Sequence, residues 1–112
     1  MLKLGKQGEL LAEKYLRNLG FKILDKNYRC PLGEIDIIAQ DKNTIVFVEV
    51  KTRRSDFLAE PFESIGRKKQ MKLRDLAEYY LAQKGYEDYE IRFDVLSIIS
   101  SKQKIEHIRD AF

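Results

Sequence analysis

Glu49 and Lys51 stand two residues apart in FVEVKTRR, a run from Phe47 to Arg54 that follows an apolar start. Side chains alternate along an extended strand, so a carboxylate and an ammonium at that spacing share one face. Thirteen residues before Glu49, the segment EIDIIA sets Asp36 between isoleucines, and the turn-forming QDKN separates the two runs. A loop centred between Lys42 and Asn43 pairs positions whose numbers sum to 85, which brings Asp36 opposite Glu49 and Glu34 opposite Lys51. Directly opposed residues have Cβ atoms about 5 Å apart, and like charges placed there repel. Two carboxylates so held must share a proton or take a cation between them. Mg2+ or Mn2+ suits such a pair, because either ion accepts a few carboxylate oxygens and fills its shell with water or phosphate oxygens. The chemistry on offer is that of a divalent ion carrying water or phosphate oxygens, with Lys51 on the face of Glu49.

Acid-x-Lys triplets arise by chance about twice in a chain with 18 acids and 13 lysines, so EVK alone carries little weight. Its surroundings add to it. Glu9 lies at the edge of an apolar helical stripe and offers a third carboxylate to a neighbouring sheet. Gly5 and Gly8 in the same helix each cost about 1 kcal/mol relative to alanine, which makes sense where another element must approach closely. Between Lys51 and Arg74 there are eight basic residues against three acids, an excess of +5 in a chain of net charge +3. Arg53, Arg54, Lys68, Lys69 and Lys72 in that block are candidates to hold phosphates, although a solvated helix face has the same composition.

The elements that must position these groups follow from periodicity. Leu4, Gly8, Leu11, Ala12, Tyr15, Leu16 and Leu19 fall on one side of a helix that Gly20 stops. FKIL (21–24) predicts a short strand, and DKNYRCPLG after it an irregular link. EIDIIA (34–39) and TIVFVEVKT (44–52) predict a hairpin. A second helix is expected from about Glu63 to Gln83, buried along Ile65, Leu73, Leu76, Ala77 and Tyr80, with its first two turns basic. IRFDVLSII (91–99) and KIEHIR (104–109) complete five strands, and the helix between strands three and four favours parallel pairing there. The expected architecture is one α/β domain over residues 1–112, an αβββαβ core with a mixed sheet flanked by helices and one extra C-terminal strand.

Composition removes several alternatives. The single Cys30 excludes an internal disulfide, and with one histidine, His107, the chain lacks a Cys/His zinc set. No serine-elbow sequence accompanies His107, which reads as a partly buried strand histidine. Asp94 in RFDV reads as a structural hydrogen-bonding group. No apolar run approaches the roughly 20 residues of a membrane span, and the N-terminus lacks a signal peptide's apolar segment, so a cytoplasmic location is expected.

Asp36 followed by Glu49-Val50-Lys51 resembles the D...(D/E)xK signature of restriction-endonuclease-like nucleases, and Glu9 in KQGELLAEKYL resembles the upstream glutamate of archaeal Holliday junction resolvases. The run GELLAEKYLRNLGFKILDKNYRCPLGEIDIIAQDKNTIVFVEVKTRR, with RFDVLSI and the terminal IEHIRDAF, is similar to the YraN family of small bacterial endonuclease-like proteins. That resemblance implies metal-dependent cleavage of DNA, branched or structured on the resolvase likeness. It also implies the Val50 carbonyl as a further metal ligand, and a homodimer, the form in which many relatives cut two strands. Two other readings stay open: a non-catalytic nucleic-acid-binding module on the same fold, and a protein-interaction adaptor using Phe57, Leu58 and Phe62.

Overall fold

The structure, a computed structural model, describes residues 2–54 and 65–112. Helix α1 (Leu4–Asn18) precedes strands β1 (Lys22–Cys30), β2 (Gly33–Asp41) and β3 (Thr44–Arg53); helix α2 (Arg67–Lys84) and strands β4 (Glu90–Ile99) and β5 (Lys104–Ile108) follow. The strands lie in one sheet in chain order. Every neighbouring pair is antiparallel except β3–β4, which is parallel because a crossover that includes α2 joins them. This is the αβββαβ core with an added C-terminal strand that the sequence predicts.

One helix covers each face. Ile45 and Phe47 of β3 pack with Leu73, Leu76 and Tyr80 of α2, whereas Val46 and Val48 pack with Ala12 and Leu16 of α1. The first half of β3 is therefore buried on both sides, which is why it reads as an unbroken apolar run. The β2–β3 register runs from Asp41↔Thr44 to Ile37↔Val48, the pairing expected of a loop centred between Lys42 and Asn43. The ladder stops there, so the expected Asp36↔Glu49 and Glu34↔Lys51 pairs do not form in it.

Two boundaries differ from expectation. β1 extends to Cys30, through the stretch predicted to be an irregular link. It is an edge strand, where charged residues face solvent at little cost and guard against further pairing, so Asp25, Lys26 and Arg29 look unlike a strand in sequence. It also bends: the register shifts between Ile23 and Asp25, and Asn27 adopts φ 50. Helix α2 begins at Arg67 rather than near Glu63, with Gly66 as an extended N-cap. Glu63 itself, and Phe57, Leu58 and Phe62 of the adaptor reading, lie outside the described residues.

Candidate active site

The site forms where β2 and β3 part. Ile35 and Ile38 both pack on the α2 side, a spacing of three that breaks the two-residue alternation at Asp36. On β1, Lys26 pairs with Ile37 and Tyr28 with Ile35, so the left-handed Asn27 lies opposite Asp36. This paired irregularity turns the Asp36 side chain into the plane of the sheet, where its Oδ2 accepts the Val50 N–H at 2.8 Å. A carboxylate thus takes the backbone donor that the ladder leaves beyond Ile37↔Val48. A strand residue projects its N–H and C=O to the same edge, so the Val50 carbonyl turns toward Asp36 as well.

Glu49 continues the line of Ile45 and Phe47 on the α2 side, its side chain 12% exposed. Glu9 reaches the gap from α1 and lines one cleft with Lys6, Glu13, Lys26, Asn27 and Asp36. Its approach depends on Gly8, because a Cβ at that position would overlap the Thr52 hydroxyl of β3. Gly8 is therefore a close-approach glycine, while Gly5 has nothing near it.

Electrostatics mark Asp36. Burial pushes its carboxyl up to about 6 from the usual 3.8, and the Glu49 charge pushes in the same direction. The Val50 N–H opposes the rise, Glu9 adds to it, and Lys69 partly offsets it. Asp36 therefore keeps its proton closer to neutral pH than an exposed aspartate does.

The basic residues divide by position. Lys69 Nζ of α2 meets Glu49 Oε1 at 2.9 Å. Lys72, one turn on, lays its chain over Gly33, where a Cβ would stand 2.9 Å from its Cε. Lys68 is exposed on the same first turn of α2. At the end of β3, Arg53 donates to Ser97 Oγ at 3.4 Å and Arg54 is exposed. Lys51 is half-buried beside Glu49 on the strand. Glu34 does not meet Lys51 as expected; it pairs with Arg29 of β1 at 3.2 Å, because the recorded β2–β3 pairing ends before Glu34 while β1 still runs beside it.

Among the described residues, no three acidic, histidine or cysteine side chains converge into a ready-made metal cage. The donors present suit Mg2+ or Mn2+ nonetheless, since Mg2+ is commonly held by one or two carboxylates, with water and substrate phosphates completing the shell. Asp36, Glu49 and the Val50 carbonyl are the groups that could supply such a partial set, and burial together with the Glu49 charge raises the Asp36 carboxyl.

A second buried carboxylate has the opposite character. Asp94 of β4 is wholly buried, takes two hydrogen bonds from Arg92 (2.8 and 3.1 Å), one from the Asp110 N–H (3.0 Å), and lies 2.7 Å from His107 Nε2. Tyr15 joins His107 Nδ1 at 3.0 Å, so α1 is tied to β5 through this network. Burial alone would raise Asp94, but its bonds to His107 and Arg92 and from the Asp110 N–H hold it below 3.8. His107 and Asp94 are thus structural groups in the fold, with no buried polar side-chain atom among the described residues lacking a partner.

A five-stranded mixed sheet between two helices, with Asp36 placed where β2 and β3 part, makes this an α/β domain with an αβββαβ core and one added C-terminal strand. The chain belongs to the uncharacterised protein family UPF0102, whose sequence profile matches residues 8–98. It is 52% identical to the UPF0102 protein of Thermodesulfovibrio yellowstonii over 111 residues, covering 99% of this chain and 96% of that one. It is 50% identical to that of Alkaliphilus oremlandii, covering 98% and 97%, and 48% identical to that of Syntrophus aciditrophicus, covering 99% and 89%. Each of these relatives carries the family designation alone. Among the described residues no helix is long and apolar enough to cross a membrane.

Proposed function

We propose that this protein is a divalent-metal-dependent nuclease that hydrolyses phosphodiester bonds in DNA, with branched or structured DNA as its substrate on the resolvase likeness. The observation that carries the reading is Asp36: a carboxylate raised to about 6 by burial and by Glu49 and Glu9, in a cleft bordered by lysines. A purely structural carboxylate gains nothing from such company.

Asp36, Glu49 and the Val50 carbonyl would hold Mg2+ or Mn2+, with Glu9 completing the set directly or through water. Bound there, the ion supplies Lewis acidity toward a phosphodiester oxygen and toward the attacking water. Lys51, on the strand face of Glu49, orients that water and favours its deprotonated form by charge proximity. Arg53, Arg54, Lys68, Lys69 and Lys72 contact phosphates without reading bases, so binding weakens steeply with salt and shows little sequence preference.

One observation favours the non-catalytic module instead: Lys69 already neutralises part of the charge on Glu49. Titrating Mg2+ or Mn2+ against linear, flap and four-way DNA separates the two readings. The nuclease gives metal-dependent products that Glu49→Gln or Lys51→Ala reduces by about a thousandfold or more. DNA retained without metal and never cut establishes the module and overturns the enzyme.

A further inference from the structure

We infer that Lys69 is a stand-in cation, seated on Glu49 until a divalent ion arrives and then released to a phosphate oxygen, so that ion occupancy itself raises nucleic-acid affinity. The inference rests on the metal-dependent reading of the site. Its ground is an ion pair of unequal partners: the Glu49 side chain is 12% exposed, the Lys69 side chain 48%, and they meet at 2.9 Å. Glu49 is the more fixed partner, because its strand pairs with β4 at this level and its side chain is mostly buried. Lys69 can leave, because its flexible stem extends into solvent from the first turn of α2.

Lys69 is also poorly placed without an anion. Arg67, Lys68 and Lys69 open α2 consecutively, its first turn contains no acid, and no side chain caps it. The positive end of a helix dipole disfavours cations there. Glu49 offsets this for Lys69. A divalent ion between Asp36 and Glu49 takes over the carboxylate and repels the ammonium, and a phosphate oxygen is then the natural new partner. Lys72 serves as the contrast: it lies on the same side of the same helix, with its chain across Gly33 and no recorded bond to Glu49.

The test measures Mn2+ binding to the full chain at pH 8 by calorimetry, for the natural protein and for Lys69→Gln, Lys69→Arg and Lys72→Gln. Lys69 is half-exposed, so these variants fold, and a thermal melt checks that they do. Removing the competing cation in Lys69→Gln tightens Mn2+ binding about fivefold, while Lys69→Arg stays near the natural value. Lys72→Gln changes it by less than about twofold, as expected of a more distant charge. In a Lys51→Ala background, which blocks cutting, Mn2+ strengthens binding of a labelled four-way junction, and Lys69→Gln removes most of that gain. Mn2+ binding that is unchanged or weaker in Lys69→Gln overturns the inference and leaves the metal site standing. No Mn2+ binding by the natural chain or any variant overturns both.

Discussion

Asp36 and Asp94 are carboxylates on neighbouring parts of one sheet, and the molecule treats them in opposite ways. Asp94 is the more deeply buried, yet Arg92, His107 and the Asp110 N–H hold its carboxyl low. Asp36 keeps some contact with solvent, yet burial together with Glu49 and Glu9 raises it to about 6. Burial raises both; at Asp94 the hydrogen bonds with His107, Arg92 and the Asp110 N–H outweigh it, while at Asp36 the Val50 N–H does not and Glu49 and Glu9 add to the rise. A carboxylate whose neighbours complete it contributes to stability, while one whose neighbours crowd it is held at a cost that a ligand can relieve.

The comparison breaks most visibly at Asp94. Asp94→Ala leaves the partly buried Arg92 with Asp41 alone and strips His107 and the Asp110 N–H of their acceptor, and urea denaturation should show a loss of about 3 kcal/mol. A loss under about 1 kcal/mol would remove the distinction drawn between the two sites. Gly8→Val comes next, costing about 2 kcal/mol as the added carbons force α1 off Thr52 and carry Glu9 away from Asp36. Cleavage should fall with it, measured under conditions where the variant is still folded.

Asp36→Asn should act in the other direction. A carboxyl raised in the folded state holds a proton that the unfolded chain has already released, so stability falls as pH rises from about 4 to about 6 and stays at the lower level above. The amide still offers an oxygen to the Val50 N–H, removes the slope, and gains about 1–2 kcal/mol at pH 8 but almost nothing at pH 3.5. Asp94, with its lowered carboxyl, contributes stability above about 4 that is lost as pH falls through its folded value, so the two aspartates give slopes of opposite sign in adjacent windows. A urea-midpoint series across pH resolves them. The smallest effect belongs to Glu9→Gln, which removes one of the two flanking charges and should reduce the Asp36 slope by about 0.5 kcal/mol. An unchanged slope would detach Glu9 from the pocket.

The sheet and half of the pocket were legible because the signals are local. A two-residue loop and period-two alternation set the β2–β3 register as far as Ile37↔Val48, and the α1 stripe set Gly8 against β3, with Glu9 beside it in the cleft that Asp36 lines. The length of β1 was hidden, because an edge strand tolerates Asp25, Lys26 and Arg29 and so loses the alternation that identifies inner strands. Asn27 was visible as a turn-former but not as the residue whose left-handed backbone lies opposite Asp36. Two partnerships had no signature at all. Lys69 meets Glu49 across twenty residues of chain, and Asp94, besides its strand neighbour Arg92, meets His107 of β5, which in turn holds Tyr15 of α1, contacts that only tertiary packing can bring together.

Because Asp36 rather than a backbone carbonyl receives the Val50 amide, that one proton is coupled to everything that happens in the pocket. Its resonance in a nitrogen-proton correlation spectrum should shift as the carboxyl gains a proton below about 6, and again when an ion draws the oxygen away. In a nitrogen-labelled chain the Val50 amide thus reports the protonation of Asp36, and would report the proposed ion, in a spectrum taken without a substrate or a single turnover.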